Sequence, residues 1–171
     1  MHTKSLVGSL AGAAALLLAA TPVHAQTLHA TLESYQEVPA VSSKGSGEFR
    51  ARIDKEAGTI YWELNYGNLE GNVLQAHIHF GQHGVNGGVS VFLCTNLGNG
   101  PAGTPTCPGG SANLNGMIMS ANVVGPTGQG LSAGEFDELV AAMRRGVTYV
   151  NVHSSLWPGG EIRGQIKNGK R

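Results

Sequence analysis

Several short segments of the chain alternate apolar and polar residues, and this period of two constrains the fold more than any other feature. Two of these segments, residues 48–54 and 59–66, are separated by a turn at 55–58. Their apolar positions are Phe49, Ala51, Ile53, Ile60, Trp62 and Leu64. Because side chains of a β-strand point alternately to opposite faces, the pattern predicts a hairpin with one buried face.

Similar segments recur along most of the chain. They lie at 27–34, 74–80, 89–93, 113–120, 147–153 and 161–166. The 26 glycines and the charged fraction of 13% are typical of a protein with many turns. About eight short strands predict an all-β fold, either an antiparallel β-sandwich or a partly closed barrel. We find no linker or internal repeat, so residues 26–171 are expected to form one domain.

One segment has the period of a helix instead. Ser132 and Glu135 have the spacing of a capping box, apolar residues at helical spacing follow, and Gly146 comes after two arginines. The sequence therefore predicts one short α-helix near residues 133–145.

The first 25 residues have the pattern of a signal peptide. A short basic start precedes the apolar run at 6–20, and small residues stand at the −3 and −1 positions of a signal peptidase site after Ala25. The apolar run is shorter than the roughly 20 residues that span a bilayer, which disfavours a membrane anchor. We expect cleavage after Ala25 and a periplasmic or secreted protein. The formal net charge of zero, with both signs interspersed, gives no indication of a nucleic-acid partner.

Two cysteines, Cys94 and Cys107, enclose a loop rich in glycine, proline and asparagine. In an oxidising compartment we expect them to form a disulfide. The alternative, a pair of thiolate metal ligands, lacks the Cys-x-x-Cys spacing of zinc knuckles.

Histidines are concentrated in one segment, residues 74–83. Strand alternation places His77 and His79 on one face, and the segment 149–153 presents His153 on a polar face of its own strand. Imidazole nitrogens at this spacing suit copper or zinc. We predict a transition-metal site formed by His77, His79 and His153, with copper as the first choice, zinc as the second and His83 as a fourth candidate ligand. The alternative is a structural cluster of hydrogen-bonded histidines.

Ligand histidines usually donate their second ring hydrogen to a carboxylate or a carbonyl group. Glu37, Asn151 and Glu161 are therefore candidates to orient the ligands. For Glu161 the alternative is an ion pair with Arg163 on the face of one strand. No catalytic residue is predicted, because Ser154 directly follows His153 and adjacent strand residues point to opposite faces.

Five motifs of the chain resemble the CHRD (chordin-type) domain. They are QEVP at 36–39, AHIHFG at 76–81, GVNG at 84–87, YVNVHS at 149–154 and PGGEIRGQI at 158–166. The resemblance covers nearly all of residues 26–171 and implies an antiparallel β domain. A weaker local resemblance links His77, His79 and His153 to the copper ligands of copper/zinc superoxide dismutase, although the second metal site of that family has no counterpart here.

Together these features predict an exported CHRD-domain protein whose partner is a metal ion, without a membrane span. The alternative is an extracytoplasmic module that contacts a protein or an envelope polymer and has structural histidines. A copper-dependent redox activity is a third interpretation, and the sequence does not identify a protein partner.

Overall fold

The computed structural model describes residues 26–169; the predicted signal peptide and its cleavage site lie outside this range. The described residues form nine strands and one α-helix. They are β1 (Gln26–Glu33), β2 (Ser46–Asp54), β3 (Thr59–Gly67), β4 (Val73–Phe80), β5 (Gly88–Thr95), β6 (Ala112–Ile118), α1 (Phe136–Arg144), β7 (Thr148–Ser154), β8 (Ile162–Gln165) and β9 (Lys167–Asn168). Short 3₁₀ helices occupy Ser34–Gln36, Ser120–Asn122 and Thr127–Gln129.

All of these strands belong to one antiparallel sheet. Its order is β5-β4-β7-β8-β1-β2-β3-β6, and β9 pairs with β1. The chain that follows β6 returns to β5, where the amide of Val124 donates to the carbonyl of Ser90 at 2.9 Å. The sheet is thus nearly closed, which confirms the all-β prediction and selects the partly closed barrel over two separate sheets.

The predicted hairpin is formed by β2 and β3. Phe49 lies opposite Leu64, and Ile53 lies opposite Ile60. The four side chains are almost completely buried inside the curved sheet. Burial of each stabilises the fold by about 2 kcal/mol, so the alternating pattern itself defines the core.

The single helix begins later than predicted. Gly134 has a φ of +85°, and Phe136 is the first helical residue. The Glu135 carboxylate accepts a hydrogen bond from the amide of Ser132 at 2.6 Å, so half of the predicted capping box is present in the turn before the helix. Leu139 and Met143 pack into the core. Within residues 26–169 no helix has the length and hydropathy needed to cross a membrane.

The disulfide loop is fixed to the barrel at its base. Cys94 and Cys107 are bonded, with a sequence separation of 13 residues. The Asn96 amide group donates to the carbonyls of Val73 and Cys107, both at 2.9 Å. In the chain-entropy account, closing a loop of this size stabilises the fold by about 3 kcal/mol.

Strands β4, β7 and β8 differ from the rest of the sheet because both of their faces are covered. Every residue of β7 and of β8 is buried. The inner face belongs to the core, and the outer face lies beneath three loops, residues 34–41, 81–87 and 155–160, whose contacts are described below. This covered outer face carries the polar residues of the candidate site.

Candidate metal centre

Strand pairing brings the three principal ligand candidates together. On neighbouring β4 and β7, His77 lies opposite Asn151, and His79 lies opposite Tyr149. The ring centroid of His77 is 5.3 Å from that of His79 and 5.1 Å from that of His153. One nitrogen from each of the three rings can be chosen so that all lie within 4.8 Å of one another.

The cluster is almost completely shielded from water. His77 is 2% exposed, His79 8% and His153 6%. Burial lowers the pKa of His77 to about 3 and that of His79 to about 4, and it also lowers the pKa of His153. All three rings are therefore neutral near pH 7, and neutral imidazole is the form that binds metal ions.

Two backbone carbonyls fix the orientation of the outer rings. Nδ1 of His79 donates to the carbonyl of Gly87 at 3.0 Å, and Nδ1 of His153 donates to the carbonyl of Pro158 at 2.9 Å. A carbonyl only accepts, so each Nδ1 carries the hydrogen and each Nε2 keeps its lone pair. Such contacts hold metal-binding histidines in position in many proteins.

His77 lies between the other two rings. Its Nδ1 donates to Nε2 of His153 at 3.2 Å. Because Nδ1 of His77 carries the hydrogen of this bond, Nε2 of His77 keeps the lone pair that an ion can take. The 4.8 Å limit of the whole set exceeds the roughly 4 Å that one ion can span, so the rings must approach each other slightly on binding.

Two nitrogens of the cluster are buried and make no hydrogen bond. They are Nε2 of His77 and Nε2 of His79. A buried acceptor without a partner costs about 1–3 kcal/mol, and each of these atoms is a lone pair suited to a metal ion. The donor set of three neutral imidazoles is appropriate for copper or zinc.

The other two histidines within residues 26–169 stay outside the cluster. His83 lies in the 81–87 loop with its side chain exposed, and the structure does not bring it to His77 or His79. His29 is exposed on β1.

Glu37 and Asn151 contact each other rather than the imidazoles. The Asn151 amide donates to Oε1 of Glu37 at 2.6 Å. Desolvation raises the pKa of the Glu37 carboxyl to about 7, against the lowering effect of Arg163 and Asn151. The pair joins the 34–41 loop to β7 beside the ligands, and it positions the strand rather than an individual ring.

Glu161 makes its hydrogen bonds to loop residues and not to the histidines. Its Oε1 accepts from the Ser43 hydroxyl at 2.9 Å and from the amide of Glu70 at 2.7 Å. The alternative of an ion pair with Arg163 is wrong, since the ion pairs within residues 26–169 involve other side chains. Fully buried Glu161 instead satisfies loop donors that would otherwise lack partners.

Arg163 lies beside the histidine cluster, and the sequence did not identify it as a residue of the candidate site. Its guanidinium carbon lies 3.5 Å from the ring centroid of Tyr149. The guanidinium donates to Oδ1 of Asn86 at 3.0 Å and to the carbonyl of Val85 at 2.7 Å, which anchors the 81–87 loop over the site. The Tyr149 ring also stacks on His79, with centroids 4.7 Å apart. Two signals for it were present in the sequence: the alternation of polar residues along β8, and its place in the motif at 158–166.

Gly160 is required by the close approach of its backbone to the Glu37–Asn151 pair. Its φ is +134°, and an added Cβ would overlap Nδ2 of Asn151 and lie 2.5 Å from Oε1 of Glu37. We expect Gly160→Ala to destabilise the protein by about 2 kcal/mol in urea unfolding. Gly159→Ala is the matched control, because no heavy atom lies within 4 Å of its added Cβ. Equal stability of the two variants would contradict the described packing.

Comparison with known proteins gives one match. A model of the CHRD domain family matches residues 28–166. No curated protein and no solved structure matches the chain.

Proposed function

The chain belongs to the CHRD domain family, and we propose from this premise and from the site geometry that it is an extracellular domain binding a transition-metal ion. The ligands are His77, His79 and His153. CHRD domains occur in extracellular proteins. In this proposal residues 1–25 are a signal peptide cleaved after Ala25, and residues 26–171 are the mature single-domain protein in the periplasm or outside the cell.

The observation that carries the proposal is the pair of buried Nε2 atoms without hydrogen-bond partners, on His77 and His79. A purely structural histidine cluster would be expected to satisfy its buried acceptors. A metal ion satisfies both lone pairs at once, and it also takes the lone pair of His153 in place of the hydrogen bond from His77.

Copper is preferred to zinc in this proposal. The three donors are imidazole nitrogens, and for such ligands divalent copper binds more tightly than divalent zinc in the Irving–Williams order. No cysteine or carboxylate belongs to the described cluster that would shift the preference toward a structural zinc site.

Two hydrogen bonds favour the alternative of an interaction module with structural histidines. The hydrogen bonds from His77 to His153 and from His153 to Pro158 form a chain that stabilises the fold without a metal. This alternative leaves the two unpartnered Nε2 atoms unexplained, and it predicts that added metal has no effect on stability.

Thermal unfolding with and without metal separates the two interpretations. We expect copper to raise the melting temperature of the mature protein by about 5 °C or more when free metal is at a hundredfold excess over its Kd. His83→Gln should retain this shift, since His83 is exposed and outside the cluster. His153→Gln should lose most of it. An unchanged melting temperature of the wild type with copper and with zinc would contradict metal binding.

A further inference from the structure

A buried cation lies beside the histidine cluster. Arg163 is only 2% exposed, and the Tyr149 ring separates its guanidinium from the imidazole of His79. The neighbouring strands β4, β7 and β8 carry His79, Tyr149 and Arg163 in that order. The polar contacts of Arg163 are to Asn86 and to the 81–87 backbone, so no carboxylate of the described chain neutralises it by direct contact.

The charged groups that act on the histidines and on Arg163 do not sum to a negative value, and buried Glu161, which is bonded to Ser43 and to the amide of Glu70, is not among them. The three ligands are neutral imidazoles, and no carboxylate or thiolate belongs to the described cluster. Arg163 contributes one positive charge. The Glu37 carboxyl, held by Asn151, contributes either no charge or one negative charge. The surroundings of a bound ion are therefore neutral or positive whichever form Glu37 takes.

This charge balance favours a monovalent ion. The free energy required to bury an ion rises with the square of its charge, so a divalent ion costs about four times as much as a monovalent ion of equal size. Neutral ligands leave the net charge of the ion uncancelled. Repulsion from Arg163 is also twice as large for a divalent ion, and it is weakly screened because the site excludes water.

We infer that the site selects Cu⁺ over Cu²⁺ and Zn²⁺, and that Arg163 is the residue that determines this selectivity. The inference rests on the proposed metal binding and specifies the oxidation state of the copper ion that is bound. Three imidazoles without an anionic ligand suit Cu⁺, which is stable with two or three donors. Arg163 acts from behind Tyr149 and touches none of the ligands, so its contribution is electrostatic and not coordinative.

The test measures three affinities for the mature protein. Cu⁺ is supplied anaerobically with ascorbate, which keeps copper reduced and leaves the Cys94–Cys107 disulfide intact, and its affinity is read by competition with a chromophoric Cu⁺ chelator. Cu²⁺ and Zn²⁺ are titrated against chelators of known affinity without reductant. We expect Cu⁺ to bind at least about 100-fold more tightly than either divalent ion.

Two substitutions of Arg163 separate an electrostatic role from a structural one. Arg163→Met should reduce the preference for Cu⁺ by about 10-fold or more, because the divalent ions gain affinity. Arg163→Lys retains the charge and should retain the preference. A role confined to anchoring the loop would instead lower all three affinities together in Arg163→Met.

The measured affinities distinguish a failure of the proposed selectivity from a failure of the proposed metal site. Divalent ions bound by the wild type as tightly as Cu⁺ would overturn the selectivity while leaving the metal site in place. No binding of any of the three ions would overturn the proposed function as well. If Arg163→Met does not fold, Glu37→Gln measured at pH 8 replaces it, because the Glu37 carboxyl, with a pKa of about 7, is ionised there. Removing this negative charge should increase the Cu⁺ preference, and an unchanged or smaller preference would overturn the inference.

Discussion

Replacing His79 with alanine is expected to weaken copper binding by at least about 100-fold, since removing a ligand should exceed the 10–100-fold effect of losing an outer-shell partner. His79 is 8% exposed, and its Nδ1 is fixed by Gly87, so Nε2 is the atom available to an ion. No other histidine of the described chain can replace it, because His83 and His29 are exposed and lie outside the cluster. The measurement is chelator competition on the mature protein.

His83→Ala is the matched control for this experiment. It removes an imidazole only a few residues away along the chain, and copper affinity should stay within about threefold of the wild type, which is below 1 kcal/mol. Urea unfolding of the metal-free variants shows whether each still folds. A folded His79→Ala protein that binds copper as tightly as the wild type would remove His79 from the site.

Acidification is expected to destabilise the metal-free protein through its buried histidines. The pKa of His77 is about 3 and that of His79 about 4 in the folded state, against 6.5 in the unfolded chain. The unfolded state therefore binds more protons as the pH falls below 6.5, and stability is lost in that direction. Between pH 7 and pH 5 each of these histidines contributes a loss of about 2 kcal/mol. His153 adds to the loss, since its pKa is also lowered.

Glu37 opposes this trend over the same range. The pKa of its carboxyl is about 7 in the folded state and 4.5 in the unfolded chain, so the folded protein takes up the extra proton and gains stability as the pH falls. The gain between pH 7 and pH 5 is about 2 kcal/mol, which offsets about half of the loss from His77 and His79. Wild-type stability should therefore fall by about 2 kcal/mol, and further through the contribution of His153.

The Glu37→Gln variant reveals how much the buried histidines contribute to the pH dependence of stability. Without the compensating proton, the free energy of unfolding in urea should drop by about 4 kcal/mol or more between pH 7 and pH 5. His29→Gln is the control and should follow the wild-type profile, because that side chain is exposed. A Glu37→Gln profile that is flat between pH 7 and pH 5 would show that the histidines are not held neutral by burial, and a profile parallel to that of the wild type would show that Glu37 takes up no proton.

The strands and the core were predictable from the sequence because they depend on local alternation. The period of two placed Phe49 and Ile60 on one buried face, and the observed hairpin has this arrangement. The choice between a sandwich and a barrel was not predictable. It depends on the return of the chain after β6 to Ser90, a long-range contact that no local pattern encodes.

The part of the candidate site that lies on strands was predictable from the sequence, and the part that lies on loops was not. Period-two alternation alone placed His77 and His79 on a common face, and the pairing of β4 with β7 added His153. The carbonyls of Gly87 and Pro158 come from loops whose paths follow tertiary contacts. The same reason explains why His83 was a ligand candidate in the sequence yet lies exposed in the structure.

The contacts of Arg163 were not predictable from the sequence for a different reason. Its spacing from Glu161 indicated an ion pair on one strand face, because the sequence could not show that loops cover that face. Once the face is buried, Glu161 bonds to Ser43 and Arg163 stacks on Tyr149. Because both faces of β8 are buried, Glu161 and Arg163 have separate partners and do not form the predicted ion pair.

The most direct test of the metal site is the copper content of the mature protein. The chain is equilibrated with copper, passed through a desalting column with a weak chelator and measured by elemental analysis. We expect about one copper ion per folded chain, and almost none in the variant with His77, His79 and His153 all replaced by glutamine. A wild-type protein without bound copper or zinc, or a triple variant that retains the same amount, would contradict a metal site formed by these three histidines.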